Sequence, residues 1–185
     1  MKAKRCLLID TDKDKEFLDE QLHKVADMLK NGKSVVFHTE TVYGLGANAL
    51  DPEAAKKIYE AKGRPSDNPL IVHISKKEDV DFLARNISQD AKLLMEAFWP
   101  GPLTLILDKS DNVPIETTGG LMTVAIRMPS NPIARKLIDL AGVPIAAPSA
   151  NISGRPSITS SKYLVEELCE SVDAIIISED SEIGL

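Results

Sequence analysis

Asn68-Pro69-Leu70-Ile71-Val72-His73-Ile74-Ser75-Lys76-Lys77-Glu78 sits near the middle of the chain, and its reading sets the fold class. Asn68-Pro69 releases the backbone into an extended run, because the residue before a proline is pushed out of the helical region. Leu70 to Ile74 is apolar except for His73 and too short for a helix, which predicts a buried strand. Ser75 and Glu78 have the spacing of a capping box, so another helix is expected to begin there. Upstream, Asp51-Pro52 places an N-cap before a proline in the first helical turn and opens a helix to about Lys62, which Gly63 stops. A strand framed by two helices is the building unit of an α/β chain.

The alternation extends in both directions. Leu18, Leu22, Val25 and Leu29, at spacings of four, three and four, mark one face of a helix ending near Gly32, followed by a strand from Ser34 to Phe37. Further strands are expected at Leu103–Leu107, Thr123–Arg127, Val143–Ala147 and Ala174–Ile177. Helices are expected at Gln89–Phe98, Pro132–Ala141 and Ser160–Cys169. The pattern predicts one α/β domain over residues 1–185, with a twisted mixed parallel and antiparallel sheet flanked by helices.

Composition narrows the function. With 43% hydrophobic and 27% charged residues in 185, the chain can build a packed core, which excludes a disordered or fibrous protein. A net charge of −6 opposes polyanions, so an RNA-binding module would need a local basic patch. Cys6 and Cys169 lack metal-ligand spacing and read as free thiols of a reducing compartment. Cys6-Leu7-Leu8-Ile9 is too short for a signal core or a membrane span, so no membrane association is expected and the cytoplasm is the expected location.

Polar clusters collect at predicted strand ends, where ligands of open α/β sheets bind: Thr39 to Gly46, Lys62 to Pro69, and Pro148 to Asn151. Lys62 and Arg64 flank a glycine at a helix end; they either clamp phosphate oxygens or complement the negative helix terminus. Thr39, Thr41 and Tyr43 suit a small polar ligand, or an ordinary turn with a packed tyrosine. Gly44-Leu45-Gly46-Ala47-Asn48-Ala49 matches a dinucleotide fingerprint, but the next helix opens only after Asp51, so the pyrophosphate geometry fails. His73 reads as a core histidine. Thr123 and Arg127 share a strand face, where a buried arginine needs an anion. Trp99 reads as packing, and Ser149 with Asn151 can offer a hydroxyl and an amide to phosphate. No phosphate-binding GxxxxGK[ST] loop, nucleophile elbow or cysteine–histidine metal cluster is present in the sequence.

Together these segments resemble the YrdC-like family of threonylcarbamoyl-AMP synthases. The resemblance rests on Thr39-Glu40-Thr41-Val42-Tyr43-Gly44-Leu45-Gly46, on Lys57 to Pro65 with Asn68-Pro69-Leu70, on Trp99-Pro100-Gly101-Pro102, on Thr123 to Arg127, and on Pro148-Ser149-Ala150-Asn151. It implies a cationic concave cavity with Lys62, Arg64, Ser149 and Asn151 around the nucleotide phosphates, and Lys62 and Arg64 as the catalytic cations. Asn68, Thr123 and Ser157 would also meet ATP. Thr41, His73, Arg127 and the backbone near Ala147 would hold L-threonine, Arg127 matching its carboxylate. The implied activity joins L-threonine, bicarbonate and ATP with magnesium, metal ligands unassigned. It serves tRNA modification through a downstream tRNA threonylcarbamoyl transferase, with at most a weak tRNA contact. The rivals are a carbamoyl-adenylate-forming enzyme of the hydrogenase-maturation type and a non-catalytic RNA-binding module. Two departures are visible: His38 stands where the family usually has proline, and relatives continue past Gly-Leu with Glu-Ser-Thr-Val, which predicts a chain shortened at Leu185.

Overall fold

Capping chemistry sets the helix ends. A computed structural model describes residues 6–12, 16–154 and 161–177. In it the Asp51 side chain accepts from the Glu53 N–H at the start of helix α2 (Pro52–Lys62), and Gly63 ends the helix at φ 56° in the left-handed region that glycine enters without penalty. Asn131 caps α5 (Pro132–Ala141) in the same way, accepting from Ile133 and Ala134, and Ser88 caps α4 (Gln89–Phe98). The remaining helices are α1 (Leu18–Lys30), α3 (Val80–Leu83) and α6 (Ser161–Leu168).

Among the described residues the strands are β1 (Leu7–Asp10), β2 (Val35–His38), β3 (Tyr43–Asn48), β4 (Ile71–His73), β5 (Ala84–Arg85), β6 (Thr104–Lys109), β7 (Thr123–Arg127), β8 (Ile145–Ala146) and β9 (Ala174–Ile177). They form one mixed sheet in the order β1-β9-β2-β3-β8-β4-β7-β6-β5. β9 runs parallel to β1 and β2, and β4 parallel to β7; the other pairings are antiparallel. Helices α2, α4 and α6 pack on one face, around Val36, Leu45, Val72, Val124 and Ile126. On the other face α1 and α5 pack over Ile9, Val35, Phe37, Ile145 and Ile176. That second layer leaves part of the sheet open toward β6, where Ile106 is 71% exposed. The candidate site lies at this step.

Four local expectations are corrected. Tyr43–Asn48 is a central strand, not a loop, despite two glycines that weaken strand propensity. Packing explains them: a Cβ on Gly46 would lie 2.6 Å from Phe37 Cε1 and 2.9 Å from Ile145 Cγ2. The helix expected from Ser75 is a 3₁₀ turn at Lys77–Asp79 leading into the single turn of α3. Its cap is displaced by one residue, since Asp79 accepts from the Lys76 N–H at 3.2 Å and Ser75 Oγ donates to Asp139 instead. β1 and β5 were too short to stand out by periodicity. Finally, Cys6 and Cys169 are not free thiols but a disulfide with Cα atoms 5.1 Å apart. The parallel pairing of β1 with β9, and the arrival of α6 just before β9, bring together residues 163 apart in sequence.

Candidate functional site

The hairpin between β2 and β3 is tied down by its own hydroxyls. Thr39 Oγ1 donates to the Val42 carbonyl at 2.8 Å and accepts from the N–H groups of Thr41 and Val42 at 3.4 and 3.3 Å. At the end of β2 the buried His38 ring packs edge-on against Tyr43, with centroids 4.7 Å apart. Pro148 to Ala150 lies along the start of β3, where Leu45 N–H donates to the Pro148 carbonyl and Ala150 N–H to that of Tyr43. The loop packs closely on the strand, since a Cβ built on Gly44 would lie 3.4 Å from Ala147 Cβ and 3.5 Å from the Pro148 carbonyl oxygen.

These segments enclose a cavity of about 260 Å³ lined by Thr39, Val42, Gly44, Arg64, Pro69, Ile71, His73, Arg127, Ala147, Pro148 and Ser149. The three strand-end clusters therefore do converge. Of the residues singled out in the sequence, Arg64, His73, Arg127, Ala147 and Ser149 line the cavity. Thr41 reaches it indirectly, accepting from Arg127 at 3.2 Å, and Asn68 does so through Arg64. Thr123 is half-buried on the same face of β7 as Arg127, four residues or about 13 Å along the strand, and outside the lining. Ser157 lies outside the described residues. A larger cavity, about 420 Å³ between α5 and α3, contains none of the predicted site residues. We assign the site to the smaller one because the convergent arginines, hydroxyls and histidine are there.

Lys62 departs from the simple picture of a phosphate clamp. Its side chain is 2% exposed, and its ammonium donates to the main-chain carbonyls of Ser149 and Asn151. Burial, with the Arg64 charge adding to it, pulls its pKa down to about 8. Lys62 holds the Ser149–Asn151 backbone from behind and is not among the lining residues. The Asn151 amide donates to the Ile152 carbonyl. Arg64 is folded over its own loop: Nε donates to the Asn68 carbonyl at 3.1 Å, and one terminal nitrogen to Asn68 Oδ1 and the Pro69 carbonyl at 2.6 and 3.0 Å. The loop thus pre-orients the guanidinium plane.

His73 is buried and its Nδ1 donates to the Ile71 carbonyl at 3.2 Å. Burial and the nearby Arg127 push its pKa down to about 4, so it is a neutral imidazole at physiological pH. The core reading of this histidine holds, and the buried ring also lines the cavity. Arg127 is already paired, donating to Glu40 Oε1 at 2.6 Å, with the two side chains 11% and 13% exposed. Glu40 belongs to the quoted Thr-Glu-Thr segment but drew no role from the sequence. Its one available signal was a lone carboxylate inside a hairpin otherwise built of hydroxyls and apolar groups. Val42, Pro69, Ile71 and Pro148, also lining residues, gave no chemical signal at all. Among the described residues, no three His, Cys, Asp or Glu side chains gather to hold a metal ion.

With this geometry in view, comparison with known proteins is informative. The family model of the Sua5, YciO and YrdC proteins, described as telomere recombination, matches residues 27–185. A threonylcarbamoyl-AMP synthase of Pyrococcus abyssi is 56% identical over 160 residues, covering 86% of this chain and 47% of that protein. One of Bacillus subtilis is 49% identical over 186 residues, covering 100% of this chain and 54% of that protein. The crystal structure of P. abyssi Sua5 complexed with L-threonine superposes with a TM-score of 0.90 at 50% identity, over 97% of this chain and 52% of that one. The chain spans about half the length of these relatives.

Proposed function

Because the chain belongs to the Sua5/YciO/YrdC family, we propose that residues 1–185 form an ATP- and threonine-binding domain that makes threonylcarbamoyl-AMP and pyrophosphate from L-threonine, bicarbonate and ATP. The observation that carries the reading is the cavity itself, in which Arg64 and Arg127 face a hydroxyl-bearing hairpin and the Ser149 loop.

The threonine amine adds to bicarbonate with loss of water, giving a carbamate. A carbamate oxygen then attacks the ATP α-phosphorus as the bond to the β,γ-pyrophosphate breaks. Both reactants are anions, so fixed cations must offset their repulsion and the charge growing on the leaving group. Arg64, held planar by Asn68 and Pro69, is the group we place on the phosphates. Lys62 acts one step removed, holding Ser149 and Asn151 so that their loop faces the nucleotide, with Asn68, Thr123 and Ser157 as further ATP contacts. Arg127, Thr41, His73 and the Ala147 backbone take threonine. The neutral His73 can hydrogen-bond without adding a third positive charge to the pocket.

Magnesium enters as the companion of ATP. Such an ion takes most of its ligands from phosphate and water, which accords with a lining that, among the described residues, carries arginines and no carboxylate. The product would pass to a tRNA threonylcarbamoyl transferase in the cytoplasm, where its substrates meet. The Cys6–Cys169 bridge must then survive a reducing compartment, and Cys6 is only 8% exposed.

Pyrophosphate release from MgATP tests the reading, with threonine and bicarbonate omitted in turn and carbamoyl phosphate substituted for both. Dependence on both omitted substrates is the expected result. Release with carbamoyl phosphate alone would move the chain to the hydrogenase-maturation chemistry. Silence in every mixture, with salt-sensitive RNA binding, would leave a binding module.

A further inference from the structure

We infer that Glu40 and Arg127 together form a two-ended receptor for an α-amino-acid zwitterion, with Glu40 reading the amino group and setting the preference for amino acids over other carboxylates. The inference rests on the functional reading above and adds a specificity residue to it.

The geometry of the pair is incomplete in a particular way. One terminal nitrogen of Arg127 serves both Glu40 Oε1 and Thr41 Oγ1, at 2.6 and 3.2 Å. Arg127 Nε and Glu40 Oε2 are both buried and have no hydrogen-bond partner. An arginine–carboxylate contact built only for stability would use the guanidinium fork on both carboxylate oxygens and leave neither group unmatched. Here one donor and one acceptor are left over within a single ion pair, beside the cavity that Arg127 lines. Buried polar groups are nearly always satisfied, and those that are not call for a missing partner.

An α-amino acid supplies the complement. Its carboxylate accepts from Arg127 Nε, and its ammonium donates to Glu40 Oε2, the two ligand groups being separated by a single carbon. The charges also select. A carboxylate without an amino group approaches Arg127 against the repulsion of Glu40, and an amine without a carboxylate approaches Glu40 against that of Arg127. Only a zwitterion meets attraction at both ends. The hairpin hydroxyls hold the Thr39 to Val42 backbone in place, so Glu40 stays next to Arg127 while the two side chains, whose unmatched atoms are buried, part to admit the ligand.

The test is calorimetric binding of the full chain to L-threonine, to the hydroxy acid in which hydroxyl replaces the amino group, and to threonine amide, for wild type and Glu40→Gln. Wild type should bind threonine at least about tenfold more tightly than either analogue, a step of about 1.4 kcal/mol. Glu40→Gln keeps an oxygen for Arg127, and thermal melting checks its fold; it should lose threonine affinity and bind the hydroxy acid no more weakly than before, so that the preference collapses. Wild type binding the hydroxy acid as tightly as threonine would overturn the inference while leaving the threonine reading intact. So would a variant that binds both ligands more tightly, since Glu40 would then be competing for Arg127. No threonine binding by wild type would overturn both.

Discussion

The Lys62 ammonium, at the last residue of α2, donates to the main-chain carbonyl of Ser149, 87 residues later. The same nitrogen reaches the carbonyl of Asn151, so one buried cation ties the helix end to the loop that walls the cavity.

Replacing Lys62 by methionine separates support from stability. Two buried carbonyls lose a donor, at about 1–3 kcal/mol each. Removing a desolvated ammonium returns a similar amount, since a buried cation whose pKa has fallen to about 8 was itself destabilising at neutral pH. The opposing terms leave the melting temperature within a few degrees, while pyrophosphate release should fall at least about tenfold as the Ser149 loop loses its anchor. Scanning calorimetry and the release assay check both halves.

Arg64→Lys keeps the charge and loses the fork. A single ammonium cannot reproduce the guanidinium's contacts to Asn68 and Pro69 while facing the cavity. The expected loss in kcat is about 10²–10³, the scale for removing one preorganised electrostatic group. A change of only two- or threefold would remove Arg64 from the phosphate role.

His73 gives a stability change of known sign. Its folded pKa of about 4 lies below the usual histidine value of about 6.5, so between these pH values the unfolded chain holds a proton that the folded chain does not. Stability is therefore at full strength above about pH 6.5 and is lost as pH falls toward about 4. His73→Asn lacks this term, and the gap in urea midpoint between the two proteins should shift in the variant's favour on acidification across that window.

Reducing the Cys6–Cys169 bridge releases a closure spanning 163 residues. Constraint of the unfolded chain by a link this long contributes about 5 kcal/mol by loop-closure entropy. Urea unfolding with and without reductant measures it, and a Cys169→Ser variant should be indifferent to the reductant.

The site was legible in the sequence as a set of residue types and not as an arrangement. Arg64, His73, Arg127, Ala147 and Ser149 line one cavity, because loops at the ends of neighbouring strands meet whenever those strands pair. The inward turn of Lys62 was not legible, because a lysine at a helix C-terminus is ordinarily solvated and the carbonyls that capture it lie in a distant loop. Glu40 was passed over because its meaning depends on Arg127, 87 residues away.

The limits of α2 and α5 were determined by the sequence alone, whereas the cap read at Ser75 moved one residue on in the fold. Asp51, Gly63 and Asn131 act on backbone groups within a few residues of themselves, and such interactions need no tertiary context. Alternating apolar runs determined the α/β class in the same local way. Tertiary structure decided that the glycine-bearing Tyr43–Asn48 is a strand, that Cys6 meets Cys169, that Lys62 faces backbone and that Arg127 faces Glu40. Each of these is a pairing between groups far apart in sequence, fixed by strand order and by which face of the sheet a side chain occupies, and periodicity along one segment carries no information about the segment beside it.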